Sequence, residues 1–450
     1  MTLVAWALPL PPPATSKSML MHEKPVIVFI SAVYPSQYSL LCSHLRSQGL
    51  ADSWFMTMPG HAQRHAHECD HLIPFRPDGD IMGPQGYYYS SKVERSARIC
   101  RGMLQALKQF EQERGKRIDL VVTHSLWGSP NWLYDELDAA ICSYIEFPSY
   151  LAHGWDAAYP PDDSQRQADR NMEMLHFHQV LRSDLTIVPS AYARSLFPSV
   201  LRERIAVQFE GFDIAHEPAT GERSDPRFTI AFAARDLSSA KGFETYMRLV
   251  DRLVREGHGQ DTRFLAIGGA TESTYGYEQQ WVERRYQGKV ESFKDHLLKL
   301  YPAASAVEFP GRLPYADYAR MLADTDLFLY PLRYGVANWG LMEILARGGC
   351  VIGSNWGFVP ELVSHDVNGL LAPDSDEAWI EAIRQLRGDP ARRARYGTAA
   401  RQSSQRFHIS SVAQRYMDLF RLAIARRQAE RIQARAPIAP VGAAASMAVP

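Results

Sequence analysis

The stretch "YPLRYGVANWGLMEILARGGCVIGSNWGFVPELV", Tyr330–Val363, decides how the chain is read. An apolar, strand-like run stops at Pro331 and gives way to a polar and aromatic turn. A short helix is then predicted to open on Asn338. Gly348 and Gly349 break it, and "CVIG" follows as a second apolar strand. A strand, a helix and a second strand in so few residues imply a parallel βαβ unit. One polar residue stands out: Glu343 sits early in a helix that is otherwise apolar.

The same grammar extends in both directions. Upstream, "FTIAFAA", "TRFLAIGG", "AVEFPGRL" and "DLFLYPL" read as strands, with "KGFETYMRLVDRLVREG" and "YADYARMLADT" as helices between them. Further back, "KPVIVFIS", "IDLVVTH", "DAAICSYIEF", "SDLTIVPS" and "IAVQFEGFD" make a second set. Helices are expected in "YSLLCSHLRSQG", "SKVERSARICRGMLQALKQFEQERG" and "GSPNWLYDEL". Continuous apolar strands alternating with amphipathic helices predict two open parallel sheets. The polar joint "DIAHEPATGERSDPR" separates them. Ligands of such folds lie at the carboxyl edges of the strands, so a cleft between the two halves is expected to hold the site.

Composition bounds the rest. A chain of 450 residues with 46% hydrophobic residues can bury large cores. Its 49 basic and 50 acidic residues leave a net charge of −1, which gives no reason to expect a nucleic-acid partner. Five scattered cysteines, Cys42, Cys69, Cys100, Cys142 and Cys350, suggest no disulfide framework, so a cytoplasmic location is expected. Residues 1–23 contain prolines and have no basic segment ahead of the apolar patch; a disordered leader is expected there. The expected order is then a first α/β domain over 24–215, a second over 225–405, a closing helix over 406–432 and an Ala/Pro tail over 433–450.

Several residues could carry chemistry. In "FAARDLSSAKGFETY", Arg235 and Lys241 bracket a short loop between a strand and a helix near Gly242. Two cations beside a helix N-terminus suit a diphosphate, although a solvated loop with two surface cations has the same composition. Asn338, Trp339 and Gly340 stand where helix N–H groups would point into the cleft and share phosphate charge. Glu343 suits paired hydroxyls, yet a first-turn Glu is also stabilised by the helix dipole alone. Position does not choose between these.

The ordered set "RDLSSAKG", "VEFPGRLPYADYARMLADTDLFLYP", "WGLMEILARGGCVIGS" and "GFVPELVSHDVNGLLAPDSD" resembles the donor-binding half of the family-4 retaining glycosyltransferases. "IDLVVTHS", "SDLTIVPSAYARSLFP" and "IAVQFEGFD" resemble the family's other half more loosely. The resemblance implies the GT-B fold, two Rossmann-like doubly wound parallel-sheet domains facing across a cleft. It implies transfer of a sugar from a nucleotide-sugar donor to a glycan, lipid-linked or small-molecule acceptor in cell-surface or exopolysaccharide synthesis. No metal or other cofactor is expected, and contact with a membrane surface is an expectation of the same kind. Arg235 and Lys241 match the family's diphosphate grip, which also stabilises the leaving group. Glu343 matches the second Glu of a Glu-x7-Glu motif, the ribose ligand. Gly311 and Arg312 match the turn lining the base pocket.

Three positions depart from the family pattern. Its first motif Glu, which touches the donor sugar, falls on Gly335; its catalytic-site His falls on Glu146; and "VYPSQYS" lacks the usual paired glycines. Glu146, ending a strand, is a candidate general base or hydroxyl ligand. His124, ending "DLVVTH", either lines the cleft or is a satisfied buried histidine. The departures also admit a catalytically silent sugar-nucleotide or glycan-binding protein on the same fold. Two further signals carry less weight. His65, His67, Cys69 and His71 alternate as zinc ligands would, but a solvated loop is expected. Asp374 and Asp376 are read as capping the following helix.

Overall fold

The computed structural model describes residues 24–81, 86–125, 127–213, 225–270 and 276–435. The expected leader, residues 214–224 of the joint and residues 436–450 of the tail lie outside them. The first sheet contains β1 (Val26–Ile30), β2 (Asp52–Thr57), β3 (Leu72–Pro74), β4 (Leu120–His124), β5 (Ala140–Tyr144), β6 (Leu185–Val188) and β7 (Ile205–Val207). Its strands run parallel in the order β3-β2-β1-β4-β5-β6-β7. The second contains β8 (Phe228–Asp236), β9 (Thr262–Gly269), β10 (Val307–Gly311), β11 (Leu327–Tyr330), β12 (Val351–Ser354) and β13 (Leu370–Ala372). These are also parallel, ordered β10-β9-β8-β11-β12-β13.

The central strands β1, β4 and β5 are buried along their whole length, because helices cover both faces. One face of the first sheet packs Ile99, Met103 and Leu107 of the helix Ser91–Arg114. The other carries Leu41 and Leu45 of Ser39–Ser47 together with Val412, Tyr416 and Phe420 of the last helix, Ile409–Arg435. The chain therefore returns from the second half to complete the core of the first. The second sheet lies between Phe243–Leu253 with Asp376–Gly388 on one face and Trp339–Ala346 on the other. This is the doubly wound GT-B arrangement.

The two halves are tied by specific contacts. Tyr159, from the segment after β5, enters the core of the second half. Its ring meets Trp281 and Phe293 edge-on at 5.0 and 4.9 Å, and its hydroxyl donates to Glu244 Oε2 at 2.8 Å. Glu361 accepts from the backbone N–H groups of Ala191 and Tyr192 at 2.9 and 2.8 Å.

Three local expectations change. The segment expected to be a loop at "HAQRHAHECDH" starts as the helix Pro59–His65, with proline at its first turn. His65 then contacts Glu68, His71 contacts Asp70 and Cys69 contacts Tyr34, so these side chains diverge. The helix expected in "GSPNWLYDEL" is a single turn, Leu133–Glu136, ending where Leu137 becomes extended. Ser375, between the two aspartates, caps Asp376–Gly388, while Asp374 pairs with Arg333 and Asp376 with Arg248. No described helix is long and apolar enough to cross a membrane.

Candidate active site

The strand order of each sheet reverses direction beside its first strand, between β1 and β4 and between β8 and β11. Loops leaving these strands diverge there and open a crevice. A cavity of about 400 Å³ occupies it. Pro35 and Gln37 reach it after β1, Glu146 after β5, Glu210 after β7, Arg235 and Lys241 from the end of β8, and Gly335–Gly340 after β11.

Local sequence explains the cationic wall. The loop 237–242 is held by Glu278, a fully buried carboxylate that accepts from the N–H and Oγ of Ser239 at 3.2 and 2.8 Å. Ala240 O accepts from the N–H groups of Arg333 and Tyr334 at 3.0 and 2.9 Å, which joins this loop to the turn after β11. Gly242 has φ +82°, and a Cβ there would lie 1.7 Å from Pro331 O. Only glycine lets the two loops approach so closely. Lys241 is thereby fixed with its side chain 7% exposed. Burial lowers its pKa, the charge of Asp236 opposes that, and Arg235 lowers it further. Arg235 is the exposed member of the pair, its Nε 4.0 Å from Asp236 Oδ2.

Asn338 begins the helix Trp339–Ala346. Its Oδ1 accepts the Leu341 N–H at 3.0 Å, and the helix start, Asn338, Trp339 and Gly340, lines the cavity.

The opposite wall belongs to the first half. Glu146 accepts from Gln37 Nε2 at 2.7 Å and lies 3.7 Å from His124 Nε2. Burial alone would raise its pKa. The His124 contact, Gln37 and the charge of Lys241 together hold it below the usual carboxylate range. Glu210 is 2% exposed, and burial, followed by other causes including the charge of Glu146, pushes it up to about 7. His153 completes this wall; burial lowers it to about 4, so its imidazole is neutral at pH 7.

Of the residues picked from sequence, Arg235, Lys241, Glu146, Asn338, Trp339 and Gly340 line this cavity. His124 stands behind Glu146 and touches it. Glu343 is not among the lining residues. Its Oε1 accepts from Arg347 Nε at 3.1 Å and from the Tyr315 hydroxyl at 3.0 Å, next to Tyr318, which does line the cavity. Gly311, with φ +73°, ends β10, and Arg312 lies over Gly269 at the end of β9, 3.2 Å from where a Cβ would be. Glu210, Gln37, His153 and Glu278 were not singled out by sequence. The position of Glu210 in "QFEGFD", directly after a strand, is the one signal that could have pointed to it.

Two family models match in series: Glycosyl transferase family 4 group over residues 50–216 and Glycosyl transferases group 1 over residues 215–403. The chain belongs to the family-4, group-1 glycosyltransferases. Among relatives of this family-4 chain, WcaL of Escherichia coli, named for colanic acid biosynthesis, is 30% identical over 182 residues. That match spans 39% of this chain and 40% of WcaL. AmsK of Erwinia amylovora, an amylovoran biosynthesis glycosyltransferase, is 34% identical over 83 residues, 17% of this chain and 20% of AmsK. The fold is shared with sucrose-phosphate synthase of Thermosynechococcus elongatus, with TM-score 0.64 and 19% identity over 89% of this chain and 100% of that one. It is also shared with HepE of Anabaena, solved with UDP-glucose, with TM-score 0.58 and 16% identity over 90% and 99% of the two chains.

Proposed function

We propose that this glycosyltransferase moves a sugar from a nucleotide-sugar donor to a hydroxyl of a glycan or lipid-linked acceptor, with retention of configuration. The observation that carries the reading is the convergence of Lys241, Arg235 and the N-terminus of Trp339–Ala346 on one cavity at both sheets' switch points. Such a wall stabilises a diphosphate most when charge has built up on it, late in cleavage of the glycosyl–phosphate bond.

In the proposed step, an acceptor hydroxyl oxygen bonds to the anomeric carbon as the bond to the phosphate oxygen breaks. The electron pair leaves with the diphosphate, and the hydroxyl proton passes to a phosphate oxygen on the same face. Lys241 and Arg235 neutralise the departing charge. Glu146, kept ionised by its neighbours, accepts a hydrogen bond from a sugar hydroxyl and aligns it. Glu343, with Arg347 and Tyr315, takes the ribose end of the donor beyond Tyr318, and Gly311 and Arg312 take the base. No step calls for a metal. The bound UDP-glucose of HepE and the exopolysaccharide names of WcaL and AmsK support a nucleotide-sugar donor and a surface-glycan product.

The test is incubation with a panel of sugar nucleotides, following released nucleoside diphosphate and the anomeric signal of the product by NMR. Release of nucleoside diphosphate with a retained anomer is expected. Binding of a sugar nucleotide without turnover would instead identify a silent binding protein.

A further inference from the structure

Glu210 lines the cavity and, as a carboxyl, offers no cation to a diphosphate. The Tyr144 hydroxyl donates to its Oε1, and Trp339 Nε1 donates to Oε2 at 3.4 Å. It thus joins the carboxyl edge of the first sheet to the first residue of the helix Trp339–Ala346. Its own backbone N–H is a third contact; a carboxyl's two oxygens offer about four lone-pair sites, so capacity for about one more bond is left toward the cavity. The surrounding groups are the phenols of Tyr38, Tyr144 and Tyr416, with Glu146 on the same wall and Lys241 and Arg235 also lining the cavity. His153, neutral, lies on the same wall as Glu146.

A nucleotide sugar joins an anionic diphosphate directly to a ring of hydroxyls. With the diphosphate against the cations, the attached ring has the carboxyl wall as its polar surroundings. On the donor half, position 335 offers only glycine backbone to the cavity; a Cβ there would point toward Leu332 and Phe358.

We propose that Glu210 is the specificity residue that binds a hydroxyl of the transferred sugar ring. This inference rests on the transfer reading above. Burial is the first cause holding the carboxyl up to about 7. In the neutral form it donates its O–H to that hydroxyl's oxygen and adds no negative charge beside the diphosphate. Ionisation removes that donor and places a second anion next to Glu146, so donor affinity falls as pH rises through about 7.

The test compares wild type, Glu210→Gln and Glu210→Ala, measuring the KM for a sugar nucleotide and the Kd for its nucleoside diphosphate below and above pH 7. Wild-type KM is expected to rise above about pH 7, and Glu210→Gln, an uncharged isostere, flattens that rise. Glu210→Ala is expected to raise KM about tenfold, the loss of one strong hydrogen bond, while the Kd of the sugar-free nucleoside diphosphate changes less than about twofold. Equal weakening of both ligands would make Glu210 a structural tie, and a Glu210→Gln profile that follows wild type would remove the neutral-acid role. A wild type idle with every sugar nucleotide overturns this inference together with the transfer reading; a working wild type with unchanged variants overturns this inference alone.

Discussion

The two walls of the cleft are built by opposite rules. The second half presents cations and helix N–H groups on loops locked by glycine and a buried carboxylate, through Gly242 and Glu278. The first half presents carboxyls and neutral donors, each from the end of a different strand: Gln37, Glu146 and Glu210. One wall matches phosphate and the other matches hydroxyls. A substrate carrying both chemistries on adjoining groups would be oriented by that contrast.

The contrast is tested most severely at the cationic wall. Lys241→Ala is expected to lower kcat by about 10²–10³, the usual effect of removing one donor aimed at developing charge. A modest loss of thermal stability is expected with it, because the buried Asp236 keeps Arg235 nearby but loses the charge of Lys241. Gly242→Ala attacks the loop's geometry instead. The added Cβ meets Pro331 O in a left-handed backbone, so a loss above ~1 kcal/mol is expected by denaturant titration, with activity falling alongside. Retained stability would mean that the two loops need not meet so closely.

On the carboxyl wall, Glu146→Gln keeps size and one acceptor oxygen but removes the charge that His124 and Lys241 support. We expect kcat to fall about tenfold or more, with nucleoside diphosphate affinity unchanged, by single-turnover and calorimetric measurements. The smallest effect concerns proton linkage. His153 and His176 are both lowered from 6.5 to about 4 by burial. Their folded forms stay neutral while the unfolded chain takes up protons, so their stability contribution is full above pH 6.5 and is lost as pH falls toward about 4. Melting temperatures across that window should fall, and His176→Gln should shrink the fall.

The contrast also explains what the sequence could reveal. The second half is punctuated: the strand, the loop with Arg235 and Lys241, Gly242 and the capped helix at Asn338 follow each other within short segments. The first sheet could be read because β1 is a continuous apolar run and β4 and β5 are largely apolar, all three buried along their length. The carboxyl wall was harder to read. Gln37, Glu146, His153 and Glu210 come together only after the sheet forms, and no spacing links them. Tyr159 was hidden for the same reason, since its partners Trp281, Phe293 and Glu244 lie more than a domain boundary away. Glu343 shows the converse. Its place in the helix was legible and its i,i+4 pairing with Arg347 follows from the helix itself, but the bond from Tyr315 depends on how the helix packs on Tyr315–Ala323.

Calorimetric titration of a nucleoside diphosphate into wild type and into the Arg235→Ala, Lys241→Ala double variant separates a cationic phosphate wall from any other binding place. Saturable binding to the wild type is expected, with its loss in a variant that still melts cooperatively. Equal binding by both proteins would contradict this, because the phosphate would then lie elsewhere than the cationic wall.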